Sequence, residues 1–80
     1  MSEILTYRVV RGATLWEVRR DGHEGALADF ERKESAVAWA ESEARKIGMG
    51  RVVVEDGEGQ VEREQDYIDA AVRDELHLPR

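Results

Sequence analysis

The chain has no cysteine among its 80 residues, which excludes a disulfide framework, thiolate catalysis and thiolate zinc sites together. Proline occurs once and aromatic side chains make up only 6 % of the total. A core must therefore be built mainly from aliphatic residues. No apolar run approaches the roughly 20 residues that cross a bilayer, and Met1-Ser2-Glu3 lacks the basic and apolar stretches of a secretory leader. A soluble, cytoplasmic protein without membrane association is expected. A Rossmann or barrel enzyme does not fit this length, so residues 1–80 are read as one small domain.

What is present is charge and aliphatic pattern. Apolar residues at 41 % stand beside charged residues at 38 %, and 12 basic against 18 acidic side chains give a net charge of −6. That balance suits a globular chain with a thin core rather than a disordered one. A chain of this size buries only about 60 % of its unfolded surface. With disulfides excluded, self-association is the remaining source of support, and a homodimer is expected.

Ile4 to Val10 and Leu15 to Arg20 are rich in β-branched and aromatic residues and are separated by Arg11-Gly12-Ala13-Thr14, which predicts a β-hairpin. Tyr7 and Val9 alternate with Arg8, and Trp16 and Val18 with Glu17 and Arg19, so one face is apolar and the other charged. Asp21-Gly22-His23-Glu24-Gly25 reads as a further turn, and Ala26 to Phe30 as a short strand.

From about Arg32 to Ile47 the period changes, with Ala36, Val37, Ala40, Ala44 and Ile47 forming one helical stripe opposite Glu34, Glu41, Ser42 and Arg45. Gly48 stands where a left-handed C′ residue belongs, after Arg45 and Lys46 in the last turn. No Ser, Thr, Asp or Asn immediately precedes Lys33 to cap the other end. Arg51 to Glu55 and Gln60 to Arg63 read as a second hairpin around Asp56-Gly57-Glu58-Gly59. Asp66 is positioned to cap a final helix over about 66–78, whose stripe is Ile68, Ala71, Val72 and Leu76 and which stops before Pro79. The expected fold is α+β, in the order ββ(β)αββα. A small antiparallel sheet of four to five strands carries the central helix on one face, with a core over about residues 4–63.

The segments Tyr7-Arg8-Val9-Val10, Leu15-Trp16-Glu17-Val18-Arg19, Phe30 to Val37 and Val52 to Val61 together resemble the bacterial domain-of-unknown-function family 2188. The resemblance spans about residues 6 to 67 and implies a compact α+β fold. Arg32 stands where the family's helix usually opens with Thr, and the carboxyl-terminal segment is longer than the usual family tail. No catalytic or ligand residue is carried over by it.

The chemistry-bearing residues are scattered. His23 falls in a turn and His77 near the chain end without a second His nearby, so no metal set is expected. Counting Asp56 as the first position of a calcium loop puts Val61 where Gly is required and Tyr67 where Glu is required. Gly48-Met49-Gly50 leads from a helix into a strand, the wrong polarity for a phosphate cradle. Ser35 and Ser42 lie within the predicted helix, away from any elbow motif. Glu62, Glu64, Asp66 and Asp69 crowd one stretch, but crowding without desolvation does not tune a carboxylate for acid/base work. No cofactor and no enzymatic activity are expected.

Two binding readings remain. In the first, the protein is a non-enzymatic protein-binding or accessory module, with Trp39, Ile68, Val72 and Leu76 as candidate contacts to a second copy or another protein. Trp16 is expected inside, while Trp39 lies at the stripe's margin and either completes the core or anchors a contact. In the alternative, Arg8, Arg11, Arg19 and Arg20 of the first hairpin serve a nucleic-acid-associated regulator. Nucleic acid is disfavoured because Arg19 shares its face with Glu17, with Glu55 and Glu62 expected to join them in a mixed charge ladder. Residues 55–80 carry nine acidic and three basic side chains, a bias that suits solubility or a basic partner.

Overall fold

The computed structural model describes residues 4–68. The elements run β1 (Leu5–Arg11), β2 (Trp16–Arg20), β3 (Ala28–Phe30), α1 (Lys33–Ile47), β4 (Met49–Glu55) and β5 (Val61–Ile68). The five strands form one sheet in the order β3-β2-β1-β4-β5, with α1 across one face. The α+β architecture is the expected one.

The sheet is mixed rather than antiparallel throughout. β1 and β2 form the expected hairpin, with Val9 opposite Val18, and β2 pairs antiparallel with β3. β4, however, lies parallel to β1, Tyr7 standing opposite Val52 and Val9 opposite Val54. The reason is directional: β3 runs the same way as β1, α1 carries the chain back along the sheet, and the next strand must again run with β1. A helical crossover permits a parallel pair that a tight turn does not.

α1 begins without a side-chain cap, as the sequence indicates: Arg32 is extended, and no side chain bonds the free amides of the first turn. It ends on Gly48 in the left-handed conformation (φ 70°), whose amide donates to the Arg45 carbonyl at 3.2 Å. Ala36, Ala40 and Ala44, four residues apart and fully buried, rest on Tyr7, Val9, Val18, Val52 and Val54 of the sheet. Such short side chains let the helix settle close to the strands. Gly50 takes this furthest, because a Cβ there would run into the Cβ and backbone of Ala44. Met49 and Gly50, expected in a connection, are already part of β4.

Three expectations are corrected at the margins. Ile47, the last member of the predicted stripe, is 40 % exposed. It lies one turn beyond Ala44, which already sits over Gly50 near the start of β4. Trp16 packs against the core but is only half-buried, because it opens β2 beside the hairpin loop, opposite Arg11 and Phe30. The final strand is longer than expected and runs through Ile68, with Asp66 opposite Arg51 and Ile68 opposite Met49. Asp66 is therefore a strand residue and not a helix cap. The remainder of the expected final helix lies outside the described residues.

Candidate interaction surface

β-Strand alternation sorts the charged residues onto two faces. On the face without the helix stand Arg8, Arg19 and Arg51. Arg8 and Arg19 are directly opposite each other, an unfavourable pairing that neighbouring carboxylates relieve. Arg8 donates to Asp21 at 2.8 Å and lies 3.7 Å from Glu55, while Arg19 pairs with Glu17 at 2.8 Å. The hydrogen bond to Asp21 raises the Arg8 pKa above its ordinary value, and the bond to Asp66 does the same for Arg51. Arg51 reaches Asp66 at 2.7 Å and Glu64 at 3.4 Å.

These long side chains cover the face well enough that Val53, on that side of the sheet, is only 3 % exposed. The expected charge ladder thus includes Glu17, Arg19 and Glu55. Glu62 does not join it: a register shift at Val54/Glu55 turns Glu62 to the helix side, where both its oxygens lie 2.5 Å from Lys33 Nζ. The crowded carboxylates are thereby divided. Glu62 faces α1, Glu64 and Asp66 face Arg51, and Asp69 lies outside the described residues.

On the helix side, α1 and β5 flank an open groove of about 400 Å³. Its apolar lining comes from Val37, Ala38 and the buried Val54. Two ion pairs bridge it from helix to strand, Lys33 with Glu62 and Glu41 with Arg63 at 3.3 Å. Tyr67 completes the second bridge by donating its hydroxyl to Glu41 at 2.8 Å beneath the Arg45 guanidinium, 5.0 Å from the ring. Partial burial, and then the hydrogen bond to Glu41, push the Tyr67 pKa up. The sequence offered no direct signal for this groove, because it depends on which strand lies under α1's outer flank.

Of the expected contact residues, Trp39 and Ile68 are described, and they lie apart. Trp39 stacks at a tilt on Phe30, ring centroids 6.3 Å apart, and is half-buried against the core beside β3. Ile68 lies in β5, at the opposite edge of the sheet. Val72 and Leu76 lie outside the described residues. The four arginines of the first hairpin are divided too. Arg8 and Arg19 occupy one face with their carboxylates, whereas Arg11 and Arg20 share the alternation of Trp16 and Val18 on the other. Arg11 lies over the Trp16 ring at 5.5 Å, and Lys33 flanks the same ring at 5.6 Å.

Among the described residues no three His, Asp or Glu side chains gather as a metal-ligating group, and no helix is long and apolar enough to cross a membrane. The match to a family model covers residues 7–67, and that family is described as an uncharacterised protein conserved in bacteria, DUF2188. No curated protein and no solved structure matches the chain.

Proposed function

The chain belongs to the DUF2188 family, and we propose that it works as a non-enzymatic protein-binding or accessory module of the cytoplasm, engaging its partner along the side where α1 overhangs β5. One observation carries the reading. An eight-residue edge strand runs beside an open groove in which the apolar Val37, Ala38 and Val54 lie between two helix-to-strand ion pairs, and among the described residues no strand pairs with its outer side. Sheet edges and grooves next to helices are the surfaces on which small domains accept other chains.

The nucleic-acid reading draws less support, since Arg8 and Arg19 are engaged by carboxylates on one face and Arg11 and Arg20 lie on the other. A continuous basic track is what phosphate binding needs. The test is site-specific photo-crosslinking in living cells, with the crosslinker at Ala38 or Gln65 and a control at Asp29. Discrete protein adducts at the first two positions and none at the control are expected. Adducts at all three alike, or at none, would overturn the proposal.

A further inference from the structure

We infer that β5 takes up an extended segment of a partner protein as a sixth strand, and that this segment alternates Lys or Arg with apolar residues. The inference rests on the binding-module reading and names the partner's chemistry. Its first support is the contrast between the two sheet edges. β3 offers three residues, whereas β5 offers eight. The register irregularity is confined to the start of β5, leaving Arg63 to Ile68 in unbroken register with Val54 to Met49. A backbone row of that length is a template for strand addition.

Charge selects what is added. On the face away from α1, Glu64 and Asp66 share the single guanidinium of Arg51, while Arg8 in the next row is shared by Asp21 and Glu55. Four carboxylates thus stand around two cations. Residues opposite each other in a continued sheet lie on the same face. A second copy pairing antiparallel about Gln65 would set Glu64 against the other copy's Asp66, and pairing about Glu64 or Asp66 would set that carboxylate against itself. Like charges directly opposite destabilise a strand pair, and opposite charges stabilise it. The acidic row therefore opposes self-pairing and favours a cationic strand. On the other face, the alternate side chains of the added strand come up beside Arg63 and Gln65, at the rim of the groove where Val37, Ala38 and Val54 lie between the Lys33–Glu62 and Glu41–Arg63 pairs, and small apolar groups there leave those pairs intact.

The experiment titrates the isotope-labelled full chain with a short synthetic peptide alternating Lys and Val, and with its Glu-Val counterpart, following backbone amide resonances. The Lys peptide is expected to move the amides of Arg63 to Ile68, with affinity falling as salt rises. In the exposed double variant Glu64→Lys/Asp66→Lys, the Lys peptide should bind roughly tenfold more weakly and the Glu peptide correspondingly better, as attractive cross-strand pairs become repulsive. The milder Glu64→Gln/Asp66→Asn should abolish the preference without reversing it. Equal binding of both peptides, no movement of β5 amides, or β5 shifts that grow with protein concentration alone would each overturn the inference. Crosslinks at Ala38 that persist in the double variant would then show that the wider module reading stands without it.

Discussion

Gly50 in β4 lies directly under Ala44 of α1, so that a Cβ on Gly50 would fall within 2.8 Å of the Ala44 carbonyl oxygen and still nearer its Cα and Cβ. The obstruction is helix backbone and has no rotamer by which to yield. Gly50→Ala is therefore expected to lever the last turns of α1 off the sheet and to lose about 1–3 kcal/mol or more. Gly57→Ala, where nothing lies within 4 Å of the added methyl, serves as the control and should change little. Urea denaturation of both variants measures the difference.

Val9 and Val61 are the same residue in opposite surroundings, the first wholly buried and the second 56 % exposed. Val9→Ala removes two methyl groups from beneath the alanine face of α1 and should cost about 2 kcal/mol, a combined transfer and cavity loss. Val61→Ala should stay within about 0.5 kcal/mol of the parent protein. Equal effects in thermal or chemical denaturation would contradict the assignment of faces.

Much of this arrangement was legible in the residues. Tyr7, Val9 and Val18 alternate with arginines and Glu17, and the four-residue spacing of Ala36, Ala40 and Ala44 marks the helix face that meets them. Such patterns are local, and local periodicity survives into the fold. What could not be read depends on residues distant in sequence. Nothing near Leu5 announces a parallel neighbour at Gly50, nor does the run from Glu64 to Ile68 look like a continuation of the strand, since Glu64, Gln65 and Asp66 give it no apolar row. It is held by backbone pairing to the valines of β4, and Asp66, so plausible as a helix cap, is instead opposite Arg51. The groove followed from the same long-range pairing, because β5 must lie beside β4 before Arg63 and Tyr67 can reach Glu41 of α1. Asp56 to Gly59 form the hairpin turn that the sequence indicates, with Gly59 in the left-handed conformation (φ 84°).

Arg51 holds Glu64 and Asp66 at a half-exposed site, where such pairs contribute about 0.2–1 kcal/mol each. Arg51→Met should lower stability by about 1 kcal/mol at low ionic strength, and the loss should shrink as salt screens the carboxylates. Denaturation midpoints of parent and variant across a salt series check it. A deficit that does not change with salt would show that the stem of Arg51 packing over the face, rather than its charge, carries the effect.

Tyr67 ties stability to alkaline pH. Its folded pKa is raised by partial burial and by the hydrogen bond to Glu41, so the neutral phenol is the form the fold favours. The contribution is complete below the free tyrosine value of about 10 and disappears as pH rises through the higher folded value. Tyr67→Phe should cost about 1 kcal/mol at neutral pH through the lost hydrogen bond and should flatten the stability profile above that range. Denaturation as a function of pH, with tyrosinate absorbance as the titration readout, provides the test.

The parallel pairing of β1 with β4 has a consequence for how the molecule assembles. Leu5 meets Gly50 and Val9 meets Val54, so the centre of the sheet joins a strand that precedes the helix to one that follows it. A nascent polypeptide cannot close that seam until β4 has left the ribosome, and the first hairpin must wait with one flank bare. Long-range closure of this kind slows folding relative to helical proteins of equal length. It also makes the molecule indivisible, since neither the half before α1 nor the half after it retains a sheet with a covered middle.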